Sequence, residues 1–348
     1  VGGYDSFVLV SFGGPERAED VMPFLRRVTA GKGIPAERIA EVASHYYEAG
    51  GSSPLNTQCR DLLSALATEM AELSLKLYWG NRNWHPLLED TVAQMRDDGV
   101  TRAVAFVTSA YGGYSSCRQY LDDIATARAR VGPRAPEIDK LRLFFDHPGW
   151  VGAWAASLAD ALRQCSTTGS AEPAAKADQP QIVFSAHSIP VAYAETSPYV
   201  QHVAETARLV AGAAGVGSWQ LAWQSRSGRP SAPWLGPDVC ETIEASVATT
   251  TVVVPIGFVC DNMEVTHDLD VEAADAARRA GTHLVRARGV STSPAFVRMV
   301  RQLVQERLTP APVRRALGNL GPWPDHCPQG HCAAPPQCSA PPQPGGPM

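Results

Sequence analysis

Eight short runs rich in β-branched and other apolar residues punctuate this chain, and their rhythm constrains its fold more than any other feature. They span residues 6–12, 73–79, 102–108, 140–145, 181–186, 219–223, 250–256 and 283–287. Each ends in Gly, Pro or polar residues. Helical periodicity fills most of the intervals, as at 56–72, 91–98, 117–130, 203–214 and 293–308. Sustained strand–helix alternation predicts open, mostly parallel sheets with helices on both faces. Eight strands could instead close into a barrel. Residues 164–180, rich in Ser, Thr, Gly, Ala and Pro, argue against closure because they interrupt the alternation after the fourth strand. The expected architecture is therefore two similar α/β domains of four strands each, with a cleft between them at the strand C-termini. Their limits are 1–165 and 181–317, joined by a linker at 166–180 and followed by a tail at 318–348.

The length of 348 residues agrees, since roughly 150 residues make a domain. Apolar residues at 45% and charged residues at 19% exclude wholesale disorder. Thirty basic against thirty-five acidic residues leave a net charge of −5, which excludes a nucleic-acid-coating role. No run of eighteen apolar residues predicts a spanning helix. Val1 to Leu9 lack the basic and apolar regions of a secretory leader, so a soluble cytoplasmic monomer is expected. In that reducing compartment, clustered thiols read as metal ligands before they read as disulfides. Cys59, Cys117, Cys165, Cys240 and Cys260 are scattered over the body, whereas Cys327, Cys332 and Cys338 crowd into the tail. Nine prolines and five glycines in the 31 tail residues cannot build a packed core. Three spaced thiols there imply that something ties the tail down.

Several strand ends carry residues suited to chemistry. The first strand runs into Ser11-Phe12-Gly13-Gly14-Pro15-Glu16, a turn that admits an anion at a helix N-terminus or simply closes tightly. Neither Gly-x-Gly-x-x-Gly nor a phosphate-loop Gly-Lys-Ser/Thr is present, which weighs against a nucleotide-dependent enzyme. His187, in Ser185-Ala186-His187-Ser188-Ile189-Pro190, sits at the C-terminal end of a strand, where open α/β sheets bind ligands. A neutral imidazole there can ligate iron or zinc, or accept a proton near pH 7. The segment from Pro255 to Glu272 ends a buried strand and begins a helix that Asp261 can cap. Along it Glu264, Asp268 and Glu272 recur every fourth residue and so form an acidic stripe. The stripe reads either as a solvated helix face or as a cation path on the same side as His187. Tyr111-Gly112-Gly113-Tyr114 and Trp79-Gly80-Asn81-Arg82-Asn83-Trp84 add aromatic residues and glycines suited to a flat ligand, or to packing.

Taken together, these motifs and Gly50-Gly51-Ser52-Ser53-Pro54 resemble the ferrochelatase family over residues 4–308. Within it the similarity is to the actinobacterial branch that uses coproporphyrin III and carries a C-terminal iron–sulfur cluster. The resemblance implies two Rossmann-like, chelatase-type domains clasping a porphyrin, and insertion of Fe²⁺ into coproporphyrin III. It implies that His187 and Glu264 form the catalytic metal-site pair. Asp268 and Glu272 would be the acidic path behind it, and Ser53 and Tyr120 would contact the porphyrin. Two positions depart from relatives: Asn262 stands where many have His, and Phe12 where others have Tyr. Metal insertion needs a base near the ring centre and a route for the cation, and an imidazole with a pKa near neutrality suits the base. The other readings are a chelatase for another ring or metal, or a non-catalytic tetrapyrrole or iron–sulfur binding protein.

Four residues separate Cys327 from Cys332 and five separate Cys332 from Cys338, and a four-cysteine [2Fe–2S] site needs one more thiolate. The resemblance points to Cys117. Cys165, next to the linker, is the rival. A zinc site using His326 or His331 is the other arrangement the residues allow.

Overall fold

A computed structural model describes residues 3–167, 179–226, 232–328 and 330–333. In chain order the first half comprises β1 (Ser6–Ser11), α1 (Ala18–Thr29), α2 (Ala36–Glu48), α3 (Leu55–Glu69), β2 (Lys76–Asn81), α4 (Leu88–Asp97), β3 (Arg102–Val107), α5 (Gln119–Val131), β4 (Glu137–Lys140) and α6 (Pro148–Thr167). The second comprises β5 (Gln181–His187), α7 (Val191–Glu195), α8 (Tyr199–Ala213), β6 (Gln220–Gln224), α9 (Val239–Glu244), β7 (Thr250–Val254), α10 (Met263–His267), α11 (Ala273–Ala280), β8 (His283–Arg286) and α12 (Pro294–Leu308).

Both sheets have four strands, all parallel, and they share one order: β2-β1-β3-β4 and β6-β5-β7-β8. Parallel strands covered on both faces need continuous apolar runs, and β1 and β3 supply them in SFVLVS and RAVAFV. In each sheet the chain leaves a central strand to one side and returns on the other. Crevices therefore open at the C-terminal ends of β1 and β3, and of β5 and β7.

The two-sheet α/β expectation holds, with local differences. The fourth strand lies at Glu137–Lys140 rather than 140–145. The apolar residues of 141–145 are buried under helices rather than in a strand: Phe144 packs on Trp150 and Phe296 at centroid distances of 5.4 and 6.1 Å. The second strand starts at Lys76, since Ala71–Leu73 form a 3₁₀ turn followed by Ser74 in the left-handed region. Helix α6 continues to Thr167, and the rest of the sequence read as linker, 168–178, lies outside the described residues.

The helices that close the halves cross over. Helix α6 packs on β7, β8 and α8, whereas α12 packs on α3, β3 and α6. Arg301 of α12 bridges to Glu69 and Glu72, and Ser157 of α6 donates to the Arg288 carbonyl at 2.6 Å. Where α6 meets α12, a Cβ on Gly149 would lie 2.6 Å from the Met299 Cβ and 2.8 Å from the Ala295 carbonyl, so only glycine fits. Arg142, in the segment after β4, forms a two-pronged ion pair with Glu306 of α12 at 2.7 and 2.9 Å, and both side chains are almost fully buried. No helix among the described residues is long and apolar enough to cross a membrane.

Candidate active site

His187 is the last residue of β5 and Glu264 lies in the first turn of α10, which follows β7. The crevice of the second sheet thus brings them together, with His187 Nε2 3.4 Å from Glu264 Oε2. The close approach is built into the chain. Gly257 packs against β5, and a Cβ on it would fall 2.6 Å from the Ala186 Cα. Asn262, with its side chain accepting from Val265 N at 2.8 Å, caps α10. Asp261, expected as the cap, pairs instead with Arg286 at 3.0 Å. The departure at Asn262 thereby has a structural role.

The His187 Nδ1–H donates to the Ser188 carbonyl at 2.5 Å, an assignment that follows from the carbonyl being an acceptor only. That tautomer turns the Nε2 lone pair toward Glu264. Burial pulls the imidazole pKa down, but the hydrogen bond and charge of Glu264, with help from the Ser188 carbonyl and Asp268, outweigh it and leave it above the ordinary value. Tyr199 on α8, which no local pattern marks, steadies the strand end by donating to the His187 carbonyl at 2.9 Å.

Behind the pair, a π-helical turn at Asp268–Glu272 joins α10 to α11. Asp268 accepts a hydrogen bond from Ser225. Burial, followed by the charges of Glu264 and Glu272, pushes its carboxyl up to about 7, against the pull of Ser225 and His187. Glu272 stands at the outer, exposed end. His267 Nδ1 lies 3.8 Å from both Asp268 and Glu272, and its ring stacks on His45 of α2 at 3.9 Å. The carboxylates of Asp268 and Glu272 thus flank His267 on the helix whose first turn carries Glu264, with Asp268 half-buried and Glu264 and Glu272 exposed. The two histidines beside it were not singled out in the sequence, because nothing local links α2 to α10.

Ser53 and Tyr120 are placed on the first half. Ser53 N donates to the Pro15 carbonyl at 2.8 Å, and its side chain packs against Gly14. Tyr120 lies buried under the Arg82 guanidinium at 5.2 Å, with burial pushing its phenol up to about 12. Neither hydrogen-bonds to His187 or Glu264. Phe12 packs edge-on against Phe24.

The tail thiols form a separate locus. Cys117, Cys327 and Cys332 line one cavity of about 220 Å³, together with Trp323 and His331. Cys117 and Cys332 are buried and Cys327 is exposed. Burial, then the charges of Cys117 and Cys327, pushes the Cys332 thiol up to about 12. A multivalent cation would relieve that penalty, so the three residues fit a metal cluster. Cys165 is elsewhere, its thiol against the Ala161 carbonyl at 3.2 Å on α6. Cys338 lies outside the described residues.

The ferrochelatase family model matches residues 4–308. A ferrochelatase of Rhodopirellula baltica is 47% identical over 340 residues, covering 96% of this chain and 95% of its own. Coproporphyrin III ferrochelatases of Nocardia farcinica and Mycolicibacterium smegmatis are each 47% identical, covering 89% and 90% of this chain and 90% and 93% of theirs. Among solved structures, SirB from Bacillus subtilis with Fe³⁺ superposes with a TM-score of 0.52 at 11% identity, covering 88% of this chain and 98% of that one. The sirohydrochlorin chelatase SirB of Bacillus subtilis subspecies spizizenii, in complex with cobalt, gives 0.51 at 14%, covering 87% and 97%. At such identity these two speak to the fold alone, and they share its two-domain design. A fold of this kind, a match over nearly the whole body and relatives of almost equal length lead to one conclusion: the chain belongs to the ferrochelatase family.

Proposed function

We propose that this chain inserts Fe²⁺ into coproporphyrin III, releasing two protons and yielding the iron porphyrin. The observation that carries this reading is the His187 Nε2 lone pair facing Glu264 at a sheet crevice, with an acidic stripe leading outward. His187 takes the pyrrole protons, and Glu264 steers the metal and passes protons on. Asp268, whose carboxyl pKa burial raises to about 7, is suited to relay protons between the pair and Glu272. Ser53 and Tyr120 contact the macrocycle from the opposite half. The division at 1–165 and 181–317 belongs to the same proposal, as do a monomeric state and a cytoplasmic location. Anaerobic turnover with Fe²⁺ should show a higher kcat/KM for coproporphyrin III than for protoporphyrin IX. A preference for protoporphyrin would overturn the substrate assignment, and no metalloporphyrin from either would overturn the enzyme.

The tail belongs to this reading as the holder of a [2Fe–2S] cluster on Cys117, Cys327, Cys332 and Cys338. Three of the four thiols already line one cavity. When bound, the cluster would supply one-electron chemistry and four strong tethers. Cys117 and Cys332 would anchor its buried side, and Trp323, donating to Cys327 at 3.4 Å, orients the outer ligand. Closing the loop from Cys117 to the tail fixes a segment that has no core of its own. Anaerobically purified protein should be reddish-brown with about two irons per chain. Cys117→Ser should bleach it and expose the tail to protease, while Cys165→Ser should leave both unchanged. Colourless protein carrying one zinc would reject the cluster.

A further inference from the structure

Away from the cluster locus, two more cysteines meet across the halves. Cys59 lies on α3 and Cys260 in the loop between β7 and α10. Both are buried in the same apolar core, neither is in a disulfide, and each thiol perturbs the pKa of the other. The residues beside them touch as well, since Asp261 N donates to the Gln58 side-chain Oε1 at 2.8 Å.

We propose that Cys59 and Cys260 are a redox-modification site, forming a reversible disulfide under hydrogen peroxide that ties the first half of the molecule to the loop carrying Glu264. The two thiols are prepared unequally. The Cys260 thiol, with Ser11 and Arg60, holds the Cys59 thiol below its ordinary pKa despite burial. The Cys59 thiol and burial push Cys260 up. Cys59 is thus the thiolate nucleophile. It attacks one peroxide oxygen, the O–O bond breaks, and hydroxide leaves and is protonated to water. The Cys260 sulfur then attacks the Cys59 sulfenic acid, the S–O bond breaks, and the departing hydroxide takes the Cys260 proton. Two thiols lose two electrons and two protons, and one peroxide becomes two waters.

The bond has a consequence for the site. A disulfide brings its sulfurs to about 2.05 Å, closer than any thiol hydrogen bond. Cys260 is drawn toward α3, and Asp261 and the Asn262 cap of α10 move with it. Glu264 sits two residues past that cap. A displacement near 1 Å at a catalytic group can lower turnover about 10²-fold.

The test treats the full anaerobically purified chain with one equivalent of hydrogen peroxide, alkylates free thiols, and maps peptides without reduction. The expected product joins the Cys59 and Cys260 peptides, lighter by two hydrogens, and dithiothreitol reverses it. Cys59→Ser should lack the product and keep its turnover after peroxide, whereas the native chain should lose about 10²-fold and recover with dithiothreitol. Cys260→Ala serves if Cys59→Ser does not fold. Two freely alkylated cysteines in the native chain, or Cys59 joined to another cysteine, would overturn the site. Equal inactivation of Cys59→Ser would overturn its effect on Glu264. The cross-link is read without any porphyrin, so it stands or falls apart from the chelatase reading.

Discussion

His187→Ala is expected to lower kcat for metal insertion about 10²–10⁴-fold, the usual contribution of a positioned general base. Its Nδ1–H is committed to the Ser188 carbonyl, so no other atom of the ring can replace Nε2. Glu264→Gln separates the two roles left to the carboxylate. If Glu264 delivers iron, the apparent KM for Fe²⁺ rises; if it passes protons, kcat falls with KM unchanged. A pH profile adds an independent readout. Glu264 raises the His187 pKa, and its removal lowers it, so the free base persists to lower pH. The acidic limb of kcat/KM in Glu264→Gln should therefore move down in pH. Near-native turnover in either variant would sink the assignment of the pair.

Glu306→Ala should destabilise the fold by about 3–5 kcal/mol, because it leaves the Arg142 guanidinium buried without its counter-charge. Arg142 also donates to the Leu143 and Arg315 carbonyls, so it joins the segment after β4, helix α12 and the stretch that follows α12. Those carbonyls carry no charge and cannot offset the loss. Urea unfolding followed by fluorescence should show a large drop in midpoint with little change in m-value. Arg142→Met combined with Glu306→Leu should regain most of it, since apolar side chains of similar volume often replace a buried pair without loss. A drop under about 1 kcal/mol for the single variant would place the pair among ordinary surface bridges.

The sheets were legible because strands buried on both faces write themselves as β-branched runs. The fourth strand was displaced because helices bury residues 141–145 just as thoroughly. Helices α1 and α2 are masked in the sequence, because Pro23 inside α1 and the glycines at 31 and 33 resemble loop punctuation. His187 and the acidic stripe were legible because strand ends in such sheets gather ligands. Tyr199, His45 and the Cys59–Cys260 pair were not, because each contact joins segments far apart in sequence. Cys117 owed its place to family resemblance, and the cavity it shares with Cys327 and Cys332 accords with that choice.

The crossed helices have a consequence for synthesis on the ribosome. When β1 to β4 have emerged, the face of their sheet that α12 will cover is still bare, and residues 294–308 are among the last of the body to be made. Helix α6 is available early, yet the strands it covers, β7 and β8, do not exist. Each half waits for the other. Folding of this body is thus set by contacts between its earliest and latest segments, the high-contact-order situation in which closure is slow and exposed apolar surface persists.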